Sequence, residues 1–207
     1  RAKGAAAEVV RVDKVAPELA PVADVVAECT GSGLTDVDLP DAEVSDDRDP
    51  NPVVNWRESQ LGNLGWEILD GDSSIALALT TPLSDNKQLV EYQAWDKGLN
   101  HSPIVDFLVT VEDTTDPVIT APAQVSKEAT SSGGTPVTIP GVGVTDLCTA
   151  VMPAPTTTPA ILKFPVGTHT VTLTSTDPSG NSTSSDVTVI ITDTTGPSFV
   201  DFNGTIV

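Results

Sequence analysis

Leu108-Val109-Thr110-Val111-Glu112-Asp113-Thr114-Thr115-Asp116-Pro117 is the stretch from which the architecture follows. It is a β-patterned run closed by Asp-x-x-x-Pro. The pattern also stands near the start, as Glu8-Val9-Val10-Arg11-Val12-Asp13-Lys14-Val15-Ala16-Pro17. It returns near the end, as Thr188-Val189-Ile190-Ile191-Thr192-Asp193-Thr194-Thr195-Gly196-Pro197. Repetition on this scale marks an array of stacked modules. Asp13 and Asp113 are 100 residues apart and Asp113 and Asp193 are 80 apart, so the modules are alike but unequal.

Working outward, the first halves align almost without gaps. Glu28-Cys29-Thr30 lies over Glu128-Ala129-Thr130, Val37-Asp38-Leu39-Pro40 over Val137-Thr138-Ile139-Pro140, and Val44-Ser45-Asp46 over Val144-Thr145-Asp146. The last halves align too: Val90–Asp96 lies over Val171–Asp177, and Gly98-Leu99-Asn100 over Ser179-Gly180-Asn181. The 20-residue difference falls at about residues 51–82, an insertion in the first module. The expected organisation is an orphan strand over 1–12, a first module over 13–113, a second over 114–193, and an opening strand or tail over 194–207.

The segments read as strands. Val171, Leu173 and Ser175 alternate with Thr170, Thr172, Thr174 and Thr176, a period of two. Val and Thr are β-branched and suit a pleated, half-buried surface. Gly, Pro, Asp and Asn clusters punctuate the runs. Several short strands per module predict an all-β chain of two tandem immunoglobulin-like β-sandwiches.

The net charge of −19 argues against a nucleic-acid partner, because phosphate binding needs clustered Lys and Arg. It disfavours anionic membranes equally. No run of 18 apolar residues exists, so no membrane-spanning helix is expected. Aromatics are only 4%, so the cores must be built mainly from Val, Ile, Leu and Ala.

Residues Asp113-Thr-Thr-Asp-Pro117, Phe164-Pro-Val-Gly-Thr-His-Thr-Val171, Thr176-Asp-Pro-Ser-Gly-Asn181, Val187-Thr-Val189 and Asp193 together resemble a hyalin repeat. That family is an immunoglobulin-like module of secreted and cell-surface proteins. The tandem bacterial immunoglobulin-like repeats of large adhesins look similar. The resemblance covers 113–197 well. It covers 13–113 less well, because Leu83-Ser-Asp-Asn-Lys-Gln-Leu89 stands where the second module has Phe-Pro-x-Gly-Thr. It implies adhesion or scaffolding, an extracellular or cell-surface location and no catalysis.

Hyalin repeats often carry two cysteines in one module, whereas here Cys29 and Cys148 stand one in each, at non-equivalent positions. The first expectation is two buried free thiols, since Cys is readily buried. An intermolecular disulfide and an intramolecular one are the alternatives.

Acidic residues gather at the expected junctions. Asp96 and Asn100, with their equivalents Asp177 and Asn181, sit in the loop before each module's last strand, and Glu112, Asp113, Asp116 and Asp193 flank the repeated phrase. Calcium takes six to eight oxygens from carboxylates, amides and backbone. In the resembling adhesin repeats the Asp-x-x-Gly-Asn loop and the junction Asp serve this purpose, which makes these eight residues calcium candidates. Turn formation and solubility are the plainer uses of the same residues. Asp46, Asp47 and Asp49 form another acidic cluster, in a sequence that reads first as a turn.

Trp56, Trp66, Trp95 and Tyr92 all lie in the first module. By alternation Val90, Tyr92 and Ala94 face one way and Trp95 the other. The insertion, with Trp56 and Trp66, is the expected cover for Trp95. The three tryptophans then either pin the insertion to the sheet or form a contact surface for a neighbouring subunit or a glycan.

Catalytic signals are sparse. His101 and His169 are the only histidines, His169 is expected at a surface strand position, and no hydrolase, zincin or phosphate-loop motif occurs. Glu67, Asp70 and Asp72 are the one carboxylate grouping on the insertion. Asn100-His-Ser, Asn181-Ser-Thr and Asn203-Gly-Thr match the N-glycosylation pattern.

The two ends read as the last strand of one further module and the first strand of another. The chain is then a window on a longer array, or it assembles through those ends. The expected role is non-catalytic: a structural or adhesive module of a surface layer, filament or adhesin stalk, acting as rigid spacer and subunit-contact surface. Its partners are neighbouring immunoglobulin-like modules or copies of itself. A glycan-binding accessory region of a secreted enzyme and a virion decoration or fibre protein are the alternatives.

Overall fold

The computed structural model describes residues 12–59, 65–79 and 86–198. The chain divides into two compact units, Arg1–Asp113 and Thr114–Val207. Both are all-β, with no α-helix among the described residues.

The first unit contains β1 (Glu18–Leu19), β2 (Val25–Glu28), β3 (Leu34–Asp38), β4 (Val44–Ser45), β5 (Val53–Glu58), β6 (Glu67–Ile68), β7 (Ser74–Ala78), β8 (Lys87–Trp95) and β9 (Val105–Glu112). One sheet has the order β2-β9-β8-β5-β6, and the pairs β3-β7 and β1-β4 lie outside it. The second unit contains β10 (Val118–Thr120), β11 (Gln124–Glu128), β12 (Thr135–Pro136), β13 (Gly143–Thr145), β14 (Thr156–Thr158), β15 (Lys163–Phe164), β16 (Gly167–Thr176) and β17 (Ser182–Thr192). Its main sheet is β11-β17-β16-β14, and the pairs are β10-β13 and β12-β15.

The same device opens both units. β1 pairs antiparallel with β4, whereas β2 runs parallel to β9; β10 and β11 repeat this with β13 and β17. The opening segment therefore changes partner sheet midway. A proline stands in each switch, Pro21 and Pro122. Proline has no N–H for a ladder, so pairing lapses where the chain crosses.

The predicted alternation holds in β16, where Val171, Leu173 and Ser175 are buried and the intervening threonines face outward. Those threonines make cross-strand bonds: Thr172 Oγ1 donates to Asp186 Oδ1 at 2.7 Å, and Thr174 and Thr176 meet Ser184 and Ser182 at 2.9 and 3.0 Å. The second core is Val137, Phe164, Val171, Val189 and Ile191, as the low aromatic content required. Phe164 comes from the Phe-Pro-x-Gly-Thr phrase. Gly167 in that phrase has φ +137°, which opens β16 in a conformation other residues avoid. His169, expected at the surface, is half-buried and stacked on Phe164 at 4.9 Å between ring centroids.

The first core is centred on Tyr92, which is fully buried. Its ring meets Phe107 edge-on at 4.9 Å, and its hydroxyl donates to Pro40 O at 2.9 Å. Burial, with nearby Asp41 adding to it, pushes the phenol's ionisation well above its ordinary range and keeps that donor protonated.

The insertion lengthens this module in two ways. It adds the edge strand β6 beside β5 and makes β7 five residues long, against two in β15. Trp56 corrects an expectation. It lies in β5 opposite Tyr92, on the core side, and is 9% exposed. It covers nothing on the outer face and offers no contact surface, because its inward register sets it beside Tyr92 rather than Trp95.

Candidate metal centre at the leading end of each module

Three stretches of the first module converge where its first strand begins. Asp13 precedes β1, Asp46 follows β4, and the loop 96–100 joins β8 to β9. One carboxylate oxygen from each of Asp13, Asp46 and Asp96 lies within 4.8 Å of the others.

The loop is tied by its own side chains. Asp96 Oδ1 accepts from Asn100 N at 2.8 Å, and Oδ2 accepts from Asn100 Nδ2 at 2.7 Å. Asp46 makes the next corner: its Oδ1 accepts from the backbone N–H groups of Arg48 and Asp49 at 3.0 and 2.7 Å. Its Oδ2 is buried and has no hydrogen-bond partner. Asp13 Oδ1 accepts from Val15 N at 3.1 Å. Gly98 closes the packing, since a Cβ there would stand 3.0 Å from Asn100 Nδ2, 3.2 Å from Asp13 Cβ and 3.2 Å from Asp96 Oδ1.

The second module builds the same parts. Asp177 Oδ1 accepts from Gly180 N and Asn181 N at 2.6 and 2.9 Å, and its Oδ2 accepts from Asn181 Nδ2 at 2.8 Å. Asp146 Oδ1 accepts from Cys148 N and Thr149 N at 2.9 and 2.8 Å, and its Oδ2 is again buried without a partner. Asp146 and Asp177 each bring a carboxylate oxygen within 4.8 Å of the other. In the aligned repeats Asp113 holds the place of Asp13.

A buried carboxylate oxygen without a donor is costly, and one is built at the same corner of both modules. Clustered carboxylates with one oxygen free are what a hard, oxygen-seeking divalent cation uses. The remaining coordination would fall to backbone, water or a neighbouring group. Sequence reasoning singled out Asp96 and Asp177 but missed Asp13 and Asp146 as their companions. It treated Asp46 as part of a separate cluster.

That other cluster dissolves. Asp49 is buried and holds Lys97, whose Nζ donates to its Oδ1 at 2.7 Å and whose backbone N–H donates to its Oδ2 at 3.1 Å. The Lys97 ammonium, helped by the Asn51 N–H, holds the Asp49 carboxyl below its usual range. Asp47 faces Arg48 at 3.7 Å on the surface. Only Asp46 joins the converging set.

Glu112, Asp116 and Asp193, also expected as ligands, are placed differently. Glu112 is exposed at the end of β9, opposite Glu28 in register. Asp116 Oδ1 accepts from Ser182 N at 3.1 Å. Asp193 is exposed and accepts from Thr195 N at 3.2 Å. Asp113 is buried. The amides of Asn100 and Asn181 serve their own loops, and Ser102 of the first glycosylation pattern is buried. Asn203, like residues 1–11 of the orphan strand and 199–207 of the tail, lies outside the described residues.

Both cysteines are disulfide-bonded, which corrects the expectation of two free thiols. Burial alone did not distinguish a thiol from a bridge; an oxidising compartment favours the bridge.

Arg57 and Ser59 tie the insertion to β8. The Arg57 guanidinium lies 4.4 Å over the Trp66 ring and pairs with Glu91 at 2.6 Å, while Ser59 Oγ donates to Glu91 Oε1 at 2.8 Å. Burial alone would raise the Glu91 carboxyl, but the Ser59 hydroxyl and Arg57 outweigh it and hold it below its ordinary range. Trp95 faces away from the core, as alternation predicts, and lies against His101 at 5.2 Å. With Trp56 in the core, the three tryptophans form no common platform. Asp70 and Asp72 close a turn with Ser73, and Glu67 is exposed on β6.

Residues 112–191 match the family model of the HYR domain, so the hyalin-repeat resemblance holds for the second module. No curated protein matches the chain in sequence. Among solved structures it is similar to Drosophila N-cadherin EC1-3, at 13% identity and a TM-score of 0.30, over 86% of this chain and 68% of that one. It is also similar to the SrpA adhesin of Streptococcus sanguinis, at 15% identity and a TM-score of 0.35, over 87% and 96%. The N-terminal four Ig domains of Dscam1 isoform 7.44 give 12% identity and 0.35, over 88% and 47%. These TM-scores are too low to carry an argument. No helix among the described residues is long and apolar enough to cross a membrane.

Proposed function

We propose that this chain is a non-catalytic structural and adhesive segment of a secreted cell-surface assembly, whose sandwiches act as rigid spacers stiffened by calcium at their leading ends. The observation that supports it is the repeated corner. In both modules an Asp in a turn leaves one buried oxygen without a partner, facing an Asp clamped by an Asn four residues on. A cation there would tie the loop 96–100 to the Asp46 turn and to Asp13 on the incoming chain. Fixing the incoming chain is what a spacer needs, because the angle between successive modules is set there. The bridged cysteines fit an oxidising, extracellular setting. Both histidines have structural employment, His101 beside Gln93 and His169 on Pro165 O.

The test is calcium titration of the whole chain by calorimetry, with thermal unfolding in calcium and in chelator. At free calcium 100-fold above Kd, one occupied site adds about 2.7 kcal/mol. Asp46→Asn should lose the first module's share of that gain and Asp177→Asn the second's. An absence of binding heat, with identical unfolding in calcium and chelator, would remove calcium from the proposal.

A further inference from the structure

The two modules brace the turn at the cation corner by different means. In the first module the turn runs over residues 46–50, and Asp49 is its one buried residue. The Asp49 carboxylate holds Lys97 twice, accepting from Nζ at 2.7 Å and from the backbone N–H at 3.1 Å. Lys97 directly follows Asp96. The ion pair therefore ties the turn that carries Asp46 to the loop that carries Asp96, and fixes one candidate ligand against another.

The second module has neither partner of that pair. Thr149 stands at the place aligned with Asp49, and Pro178 at the place aligned with Lys97. Its turn, residues 146–150, again has one buried residue, and that residue is Cys148. Leu147 beside it is 54% exposed and Val151 is 83% exposed, so apolar packing does not hold the turn there. Cys148 is disulfide-bonded. Its backbone N–H donates to Asp146 Oδ1 at 2.9 Å, and Thr149 N donates to the same oxygen at 2.8 Å. These two bonds set the Asp146 carboxylate so that its other oxygen is buried without a partner. Arg48 holds the place of Cys148 in the first module, so that turn carries no sulfur. One corner is braced by an ion pair and the other by a half-cystine.

We propose that Cys148 is a positioning residue for the second module's cation corner, so that calcium affinity there depends on the redox state of its disulfide while affinity at the first module's corner does not. The proposal rests on the calcium reading given above. A dithiol reduces the bridge to two thiols and itself closes to a cyclic disulfide, passing two electrons and two protons to the protein's sulfurs. Cys148 then keeps its N–H but loses the covalent anchor that holds this N–H on Asp146. Groups that orient a metal's ligands are worth about 10–100-fold in affinity. Linkage makes the effect reciprocal. The factor by which the bridged form binds calcium more tightly is the factor by which calcium protects the bridge from reduction.

Calcium titration of the whole chain by calorimetry, before and after reduction with a dithiol, tests it. Two variants separate the corners: Asp46→Asn leaves the second to be read, and Asp177→Asn leaves the first. Reduction should weaken binding by about tenfold or more in Asp46→Asn and leave it unchanged in Asp177→Asn. The reduction potential of the bridge is the second readout. A tenfold coupling makes it about 30 mV more negative in saturating calcium in the wild type. Asp177→Asn, which keeps both cysteines, should show no such shift. Equal calcium affinity in both redox states, with a potential indifferent to calcium, overturns the proposal and leaves the calcium reading standing. Absence of binding at the second corner of the oxidised chain also overturns it, and absence at both corners removes the calcium reading as well. Loss of the strand signal in circular dichroism on reduction, before calcium is added, overturns it too, because the bridge would then hold the module and not its corner.

Discussion

Gly98→Ala puts the packing of the first module's leading end under the most direct test. The added methyl carbon would meet three atoms at 3.0–3.2 Å: the Asn100 amide nitrogen, Asp13 Cβ and Asp96 Oδ1. Two of these belong to the clamp in which Asn100 Nδ2 donates to Asp96 Oδ2 at 2.7 Å, so neither can retreat without stretching that bond. The third is on the incoming chain. Overpacking of this kind costs about 1–3 kcal/mol. Against it, an alanine restricts the unfolded chain and returns about 0.4–1 kcal/mol. The net loss is about 1–2 kcal/mol, and at about 4–8 °C per kcal/mol for a domain of this size the midpoint falls by about 5–10 °C. Tryptophan fluorescence is the assay, because all three tryptophans are in the first module and report its unfolding alone. Gly33→Ala is the control, since nothing lies within 4 Å of the position its Cβ would take. That variant should match or slightly exceed the wild type. A Gly98→Ala chain as stable as the Gly33→Ala control would refute the close packing of Asp13 on the 96–100 loop.

Tyr92→Phe should cost about 1–2 kcal/mol in chemical denaturation, because it leaves the half-buried Pro40 carbonyl without its donor while the edge-on packing with Phe107 remains. Stability should also fall in acid. Glu91 is held below its ordinary value by Ser59 and Arg57, so its contribution is complete above the unfolded value of about 4.3 and is lost as pH falls through the lower, folded value. Glu91→Gln should therefore flatten the pH profile of the unfolding midpoint below about pH 4.5 and lower the midpoint at neutral pH.

Much of the fold was readable because the two modules check each other. Alternation in Val171–Thr176 fixed the inner and outer faces of β16, and the aligned segment Val90–Trp95 carried the assignment into β8. The course of the insertion was not readable. Its strand β5 is paired with β8 in a register that sends Trp56 inward, and short apolar runs carry no sign of which strand they will join. The crossing of β1 into β2 was equally hidden. Pro21 and Pro122 announce a break in pairing, but a break reads like any turn until the parallel partner strand is seen.

The candidate site shows where spacing along a chain stops being informative. Asp96 and Asn100 are four residues apart, so their mutual clamp is local and legible. Asp13 and Asp46 reach them only through pairings that bring the start of β1 beside the end of β4. No spacing rule joins these residues, because an antiparallel ladder sets their proximity. The repeat nevertheless carried a signal. Asp recurs at 13 and 113, at 46 and 146, and at 96 and 177, while Glu67, Asp70 and Asp72 of the insertion have no counterparts. Three positions that keep the same acid in two modules of unequal length are constrained by something both modules share. The buried, unpartnered oxygens of Asp46 and Asp146 show what that constraint looks like in the fold. A turn needs only one carboxylate oxygen, and in both modules that one is already taken by two backbone N–H groups. The second oxygen, turned inward beside another carboxylate, is left unexplained by turn formation, and the proposed cation is what would satisfy it.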